Sequence, residues 1–283
     1  MQCFYPVSDP RVGLRPCGQC AACMVQKHLQ WKFRLTQEVL ASDMALWLTL
    51  QYDDDHLFFV NDRPAVNKVH CQNYFRKLRR WFQENNLKAS FTYFLVAEYG
   101  PKTNRPHYHV LFLFKLPEME IDCMLALRQK IYEQCKERWY HGHVQGELFH
   151  KGVIRYLTKY VFKPYDGFDP PAPLFRLISK GIGESYMAHI IRDQFVRSKS
   201  WKTPDGVLPR YYRDKLFPTF KGAYVSNRNL RNDISCNAMG EVWKRVLQQE
   251  RKFDSLDDYI KYQNYLLRCQ IRQVERKQKE KYG

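Results

Sequence analysis

Two β-rich runs joined by a short turn constrain the fold of this chain more than any other feature of its sequence. The runs are Phe91–Tyr99 and His107–Lys115, and the intervening Gly100–Pro106 contains Gly, Pro and Asn, which favour turns. The pattern predicts an antiparallel hairpin. Because side chains alternate between the two faces of a strand, His107 and His109 are expected on the same face.

The other periodic segments predict the order β-α-β-β-α-β followed by one more helix. Strands are expected over Ala45–Tyr52 and His143–Leu148, and helices over Gln26–Leu40, Asn67–Glu84, Ile121–Trp139 and Val153–Phe162. This order is typical of the ferredoxin-like split βαβ arrangement. The predicted fold class is therefore α+β: a ferredoxin-like antiparallel sheet with helices on one face, plus a helical basic C-terminal part.

Composition changes along the chain predict three consecutive regions. Residues 1–40 form a Cys-containing N-terminal segment and helix, in which 1–24 reads as a loop. Residues 41–165 form the core, and 166–283 form a basic, mainly helical region after the Pro-rich linker Pro164–Pro173. Its last segment, Met239–Tyr282, is predicted to be helical.

The charge of the chain favours a polyanionic partner. The net charge is +17, while 45% of the residues are hydrophobic, as expected of a folded protein that binds nucleic acid. No apolar run reaches the length of a membrane span and no signal peptide is recognised, so an intracellular location without membrane association is expected. In that setting the nine cysteines favour metal binding or buried thiols over disulfides.

A metal site is predicted on the hairpin. Antiparallel pairing brings Glu98 close to His107 and His109. A carboxylate and two imidazoles are suitable ligands for Mg²⁺ or Mn²⁺, although Zn²⁺ would also bind them. Taken alone, the two histidines could equally be hydrogen-bonded strand residues, and Glu98 a surface acid at a strand end.

A pair of tyrosines is the candidate nucleophile. Tyr156 and Tyr160 are four residues apart, which places them on one face of a helix, and Lys159 and Lys163 each follow a tyrosine by three residues. A phenol is a weak nucleophile near neutral pH, so a nearby cation or metal is needed to favour the phenolate. Taken alone, the tyrosines could simply pack the helix onto the sheet. Pro164 would end this helix directly after Lys163, which leaves the role of that lysine open.

The early cysteines are a second candidate metal site. Cys17, Cys20 and Cys23 are separated by two residues each, and Cys3 could supply the fourth ligand of a structural Zn²⁺. The repeated spacing is also compatible with an iron–sulfur cluster, or with thiols that bind no metal.

Several basic residues are candidate DNA contacts. Those singled out are Arg76, Lys77, Arg79, Arg80, Arg105, Arg210 and Arg213. Neighbouring aromatic residues could stack on the bases of unwound DNA. His141 and His143 are interpreted as structural or DNA-facing rather than as metal ligands.

Taken together, these motifs resemble those of the HUH endonuclease superfamily, in which a His-x-His strand is followed by a Tyr-x-x-Lys helix. The stretches Glu98-Tyr99-Gly100, Arg105-Pro106-His107-Tyr108-His109 and Tyr156-x-x-Lys159-Tyr160 are similar to those of the replication initiators of microviruses. The early cysteines, with Pro16, Gly18 and Trp31, are similar to the gokushovirus-type members. The resemblance covers roughly residues 1–165.

The resemblance implies a specific activity. The protein would nick the plus strand at the origin of double-stranded replicative-form phage DNA, through a 5′-phosphotyrosine link, and later rejoin the displaced strand in rolling-circle replication. It implies a divalent metal cofactor, single-stranded and origin double-stranded DNA as ligands, and the host replication helicase and polymerase as partners. The expected location is the cytoplasm of the infected bacterial host.

Two alternatives remain open from the sequence. A non-catalytic nucleic-acid-binding module can use the same kind of sheet, although the glycine-aromatic motif of RNA-recognition domains is not found. An HUH transposase or relaxase would share the chemistry, but the first usually has one tyrosine, and the second usually places its tyrosine before the histidines. Residues 174–283 are expected to help read the duplex beside the nick.

Overall fold

The computed structural model of the chain describes residues 3, 5, 7–9, 13–100, 102–147, 149–160, 169–218, 226–231 and 233–235. The strands are β1 (Val7–Asp9), β2 (Gly13–Arg15), β3 (Met44–Gln51), β4 (Phe59–Val60), β5 (Arg63–Pro64), β6 (Ser90–Tyr99), β7 (Pro106–Lys115), β8 (Val144–Glu147), β9 (Arg176–Ile178), β10 (Lys202–Thr203) and β11 (Gly206–Val207). The α-helices are α1 (Ala21–Leu40), α2 (Lys68–Glu84), α3 (Ile121–Glu137), α4 (Lys151–Tyr160), α5 (Arg192–Ser198) and α6 (Arg210–Leu216), and Glu184–His189 forms a 3₁₀ helix.

The main sheet has five antiparallel strands in the order β8-β3-β7-β6-β9. Its first four strands stand in the order of the split βαβ arrangement, with β3 and β7 as the central pair. The predicted α+β class and ferredoxin-like antiparallel sheet are therefore confirmed.

Helices α2 and α3 cover one face of this sheet. The side chain of Asn67 caps the start of α2 by accepting hydrogen bonds from the backbone N–H groups of Val69 and His70. From there Tyr74, Phe75 and Leu78 recur at helical spacing and are buried against strand residues such as Phe112. This apolar layer fixes which face of β6 and β7 is left for other contacts.

The opposite face is also covered, which the sequence did not predict. Glu38, near the end of α1, accepts a hydrogen bond from Thr92 of β6 at 2.9 Å, and Tyr156 of α4 has its ring 5.8 Å from that of Trp47 on β3. Both strand residues point away from the α2–α3 layer. The expectation of helices on one face alone was therefore incomplete, because the helix spacing of α1 and α4 does not say which face of a sheet they contact.

The chain divides into two compact units, Met1–Phe33 with Met187–Gly283, and Arg34–Tyr186. This division differs from the three consecutive regions expected from composition. The sheet also extends past residue 165, because β9 pairs with the edge of β6. A three-residue strand is too short to give an alternating pattern, so the sequence did not reveal it.

The ends of the chain differ from the sequence expectations in detail. Residues 7–9 and 13–15 pair as a hairpin, and α1 begins at Ala21, inside the segment predicted to be a loop. Within 174–218, short strands alternate with short helices, so this part is less helical than expected. The predicted helix Met239–Tyr282 and most of the linker Pro164–Pro173 lie outside the described residues. Among the described helices, none has both the length and the apolarity that a membrane span requires.

A close approach of two backbones requires glycine at position 142. The residues around it extend the pairing of β3, because Asp53 donates its backbone N–H to the carbonyl of His141 at 3.0 Å and Gln51 exchanges two backbone hydrogen bonds with His143. Gly142 has a φ of +141°, a conformation that L side chains rarely adopt, and a Cβ there would overlap the backbone nitrogen of Asp53.

Gly142→Ala is therefore expected to lower the free energy of unfolding by about 3 kcal/mol. Urea unfolding followed by circular dichroism measures the change. Gly100→Ala is the matched control, because a Cβ at Gly100 meets its nearest neighbour, Thr103 Oγ1, at 3.4 Å and the φ there is not positive. Equal losses in the two variants would contradict the close approach as the cause.

Candidate active site

The strand register brings the predicted metal ligands together. Glu98 lies directly opposite His107 in the β6–β7 pair, and His109 lies opposite Thr49 in the β3–β7 pair. Glu98 Oε2 is 3.6 Å from His107 Nε2 and 3.3 Å from His109 Nε2. One ligand atom from each of the three residues lies within 4.8 Å of the others, so a single ion can reach all of them.

Neighbouring groups hold both imidazoles in the orientation that metal binding needs. His107 Nδ1 donates a hydrogen bond to the carbonyl oxygen of Arg105 at 3.2 Å, which leaves the Nε2 lone pair free to face Glu98. His109 Nδ1 shares a hydrogen bond of 3.0 Å with Thr49 Oγ1. Outer contacts of this kind fix ring orientation in metal sites, so the triad fits a divalent ion with two nitrogen ligands and one oxygen ligand.

The carboxyl group of Glu98 is held in its ionised form. Burial acts to raise its pKa, but hydrogen bonds and positive charge from His107 and His109 outweigh the burial and lower the pKa to about 2. Glu98 therefore offers a negatively charged oxygen to a cation throughout the neutral range.

Tyr156 is the predicted nucleophile that the structure places in this site. Its hydroxyl lies 3.1 Å from His109 Nε2 and 3.3 Å from Glu98 Oε2, to which it donates. The residue is held there because Val153, Ile154 and Leu157 are buried as α4 packs against β6. The hydroxyl of one helix thus contacts two candidate ligands of the sheet.

Two site residues on β3 were not predicted from the sequence. The indole of Trp47 stacks on the His109 imidazole, with 5.1 Å between ring centroids and an angle of 9°, and its edge faces Tyr156. Thr49 holds His109 as described above. Both residues alternate on the same face of a single strand, a signal that becomes readable once β3 is paired with β7.

The other predicted nucleophile and its lysines are described only in part. Lys159 and Tyr160 are the last two residues of α4, and nothing is described of their side chains. Lys163 lies outside the described residues.

Three of the candidate DNA-binding arginines line a groove between α2 and β6. Arg76, Arg79 and Arg80 lie with Phe75 and Tyr93 around a volume of about 650 Å³. The guanidinium of Arg79 lies 5.4 Å from the ring centroid of Tyr93. Because Tyr93 and Glu98 fall on alternate positions of β6, this groove opens on the face of the sheet opposite the metal triad.

The remaining basic candidates make contacts within the protein. Lys77 lies over the ring of Tyr140 at 3.8 Å, and Arg105 donates to Asp54 Oδ1 at 2.6 Å and to the carbonyl of Tyr52 at 2.8 Å. In the other unit, Arg210 is exposed and paired with Asp214 at 3.2 Å.

Arg213 has the surroundings of a structural residue. It donates to the carbonyl of Leu208 at 2.7 Å and lies 4.8 Å from the ring centroid of Trp201, while burial and the nearby charge of Arg231 lower its pKa to about 10. This packing argues against a direct role in DNA contact for Arg213.

His141 lies at the far end of β3, on the helix-covered side. Its ring stacks on that of His70 with 3.9 Å between centroids, and burial together with the charge of His70 lowers its pKa to about 4. A packed neutral imidazole agrees with the structural interpretation made from the sequence.

A family model covers most of this core. Residues 45–165 match the family of replication-associated proteins described as ORF2 or gene 2 protein. The matched range contains all three triad residues and Tyr156, and it confirms the resemblance to phage replication proteins that the motifs predicted.

Relatives of this replication-associated family come from small phages. The chain is 32% identical over 182 residues to replication-associated protein ORF2 of Spiroplasma virus 4, covering 60% of this chain and 56% of that protein. It is 25% identical over 263 residues to protein VP4 of Bdellovibrio phage phiMH2K, covering 88% and 80% of the two chains. The chain thus spans little more than half the length of the Spiroplasma virus relative.

A structural neighbour is a viral nuclease domain. The N-terminal nuclease domain of non-structural protein 1 from minute virus of mice, in which Zn²⁺ is coordinated in the active-site pocket, aligns with 65% of this chain and 88% of its own at 10% identity and a TM-score of 0.24. A score this low supports no conclusion about the site.

Proposed function

We propose that this chain is a rolling-circle replication initiator that cuts one DNA strand by attack of a tyrosine and later rejoins it. The observation that carries the proposal is the contact of the Tyr156 hydroxyl with both Glu98 and His109, at 3.3 and 3.1 Å. A nucleophile must lie beside the group that activates it. The family match to phage replication-associated proteins supplies the DNA substrate.

In the proposed reaction Tyr156 Oη attacks the scissile phosphorus. The new Oη–P bond forms as the P–O3′ bond breaks, so the 5′ phosphate stays on the tyrosine and the 3′ oxygen leaves and takes up a proton. Glu98 and His109 orient the hydroxyl by accepting its hydrogen bond. A divalent ion bound by Glu98, His107 and His109 would polarise a non-bridging phosphate oxygen and offset the charge that develops there. The donor set is compatible with Mg²⁺, Mn²⁺ or Zn²⁺.

Tyr160 is proposed as the second nucleophile. It ends the same helix four residues after Tyr156. After one round of synthesis, its attack on the regenerated junction would release a new 3′ hydroxyl, which can displace the first tyrosine from its 5′ phosphate and close the displaced strand into a circle. Because the phosphotyrosine bond keeps the phosphodiester energy, closure needs no nucleotide triphosphate. Lys159 and Lys163 are proposed to contact the phosphate from the same segment.

DNA outside the cut site is proposed to follow basic surfaces. The groove on α2 combines Arg76, Arg79 and Arg80 with the exposed edge of Tyr93, a set that suits phosphates and unstacked bases. Residues 174–283 are proposed to contact the adjoining duplex. The free 3′ hydroxyl at the nick would serve as primer for the host polymerase, with the host helicase opening the strands.

An adduct assay tests the proposal. The full chain is incubated with single-stranded oligonucleotides that tile the replicative-form origin of the genome encoding it, each labelled at either the 5′ or the 3′ end, with Mn²⁺ or Mg²⁺. The expected product is a complex that survives boiling in detergent and carries only the 3′-end label, together with an upstream fragment that a polymerase can extend.

The result also separates the competing functions. Removal of the metal with a chelator is expected to abolish the adduct. Intact DNA binding without any adduct on any oligonucleotide would instead favour a non-catalytic binding module.

A further inference from the structure

Four cysteines in the N-terminal unit form a cluster that the proposed nicking reaction does not use. Cys3 precedes β1, Cys17 follows β2, Cys20 directly precedes α1, and Cys23 lies in the first turn of that helix. We propose that these four thiolates bind one structural Zn²⁺.

The spacing of the sulfur atoms matches a single tetrahedral ion. Cys3 Sγ lies 3.4 Å from Cys17 Sγ and 3.7 Å from Cys20 Sγ, and Cys17 Sγ lies 4.0 Å from Cys23 Sγ. All four sulfurs are within 4.8 Å of one another. A Zn–S bond of about 2.3 Å gives a regular tetrahedron with edges of about 3.8 Å, close to the mean of these separations.

The same distances argue against the other readings of the motif. A disulfide would bring two sulfurs to about 2.05 Å, and the described cysteines are all free thiols. In an iron–sulfur cluster each cysteine binds a different iron or shares an iron with one other cysteine, and bridging sulfides keep the irons apart. Four thiolates around such a cluster would therefore lie farther from each other than these do.

Backbone N–H groups around the cluster suit ionised sulfur. The N–H of Cys17 donates to Cys3 Sγ at 3.2 Å, and the N–H groups of Cys20 and Gln19 donate to Cys17 Sγ at 3.3 and 3.5 Å. Donors of this kind stabilise the negative charge of a thiolate ligand. Gly18, at a φ of +77°, provides the turn that aims them.

A cation lies beside the same turn. Lys27 Nζ donates to the carbonyl oxygen of Gly18 at 2.6 Å. Four thiolates around one Zn²⁺ carry a net negative charge, so the lysine offsets charge that the ion alone would leave. The start of α1 contributes in the same direction, because the N-terminal end of a helix is its positive end.

The geometry also gives the ion a purpose. Cys3 and Cys17 lie at the two ends of the β1–β2 hairpin, whose strands are three residues each, and an isolated hairpin of this size is not stable in water. A shared ion ties the base of the hairpin to the beginning of α1. Since all four positions of the tetrahedron would be filled by thiolates, the site has no open position for substrate and is structural.

Metal analysis of the full chain tests this proposal. Protein purified under reducing conditions is dialysed against a weak chelator, its metals are measured by mass spectrometry, and Zn²⁺ release is followed with a chromogenic chelator while a mercurial reagent blocks the thiols. One equivalent of Zn²⁺ is expected per chain, released as four thiols react. Cys20→Ser is expected to lose that equivalent, whereas Cys20→His is expected to keep it, because three cysteines and one histidine also form a zinc site.

Two controls separate this site from the others. Cys123→Ser removes an exposed cysteine outside the cluster and should retain the zinc. Glu98→Gln should also retain it, since it alters only the nicking triad. If Cys20→Ser does not fold, replacement of Zn²⁺ by Co²⁺ in the wild-type chain should give the visible bands of tetrahedral thiolate coordination. Absence of bound metal, iron in place of zinc, or zinc retained in Cys20→Ser would overturn the proposal.

Discussion

Tyr156→Phe is expected to lower the rate of adduct formation by on the order of 10³-fold or more, because it removes the attacking oxygen. The ring itself remains, and with it the edge contacts to Trp47 and His109, at 5.8 and 5.1 Å between centroids. The affinity for DNA and the thermal stability should therefore stay close to those of the wild-type chain. Single-turnover labelling at saturating oligonucleotide measures the rate, and binding of the same oligonucleotide is measured separately.

Two further tyrosine variants make this expectation specific. Tyr140→Phe also removes one hydroxyl, but from a side chain that is 53% exposed, and should leave the rate unchanged. Tyr160→Phe should still form the first adduct but fail to close the strand. An adduct of wild-type yield in the double variant Tyr156→Phe, Tyr160→Phe would refute the tyrosine mechanism.

The part of the site that the sequence predicts best is the part made by one hairpin. The turn is closed by hydrogen bonds from Gly100 N–H to the Arg105 carbonyl at 3.0 Å and from Asn104 N–H to the Gly100 carbonyl at 2.9 Å. A turn of fixed length fixes the register of its strands, so the pairing of Glu98 with His107 follows from residues close together in the chain.

The part that the sequence did not predict depends on contacts between distant segments. Thr49 and His109 are 60 positions apart, and their hydrogen bond exists only because β3 enters the sheet next to β7 in one particular register. Trp47 reaches the site by the same pairing. Hydrophobic alternation in β3 predicts a strand, but not which strand it will pair with or which of its two sides will face the histidines.

The basic residues show the same difference between local and distant information. The sequence of α2 predicts a helix with one basic side, which the structure has. It does not reveal that Arg76, Arg79 and Arg80 open on the face away from Glu98, because this depends on how the helix packs. Nor does it separate an exposed arginine such as Arg210 from Arg213, whose guanidinium is packed against Trp201.

Glu98→Gln is expected to abolish metal-dependent cleavage at low metal concentration. The substitution keeps the shape of the side chain but removes the charged oxygen that faces both Nε2 atoms. Loss of a charged ligand should weaken Mn²⁺ binding by about 100-fold or more, and loss of the metal's contribution of several kcal/mol should slow the single-turnover rate by on the order of 10³-fold. Mn²⁺ binding is measured by electron paramagnetic resonance. Glu84→Gln, an exposed acid paired with Arg80 on the surface, is the matched control.

Thr49→Val distinguishes a metal site from a direct role of the carboxylate. Valine has nearly the shape of threonine but cannot hold His109 Nδ1, so Mn²⁺ affinity should fall about 10- to 100-fold while Glu98 is untouched. If the triad acts through a bound ion, raising the Mn²⁺ concentration should restore the rate of Thr49→Val fully and that of Glu98→Gln only in part. If Glu98 acted only as an acceptor for the Tyr156 proton, Thr49→Val would not show a metal-dependent defect, and added Mn²⁺ would not rescue either variant.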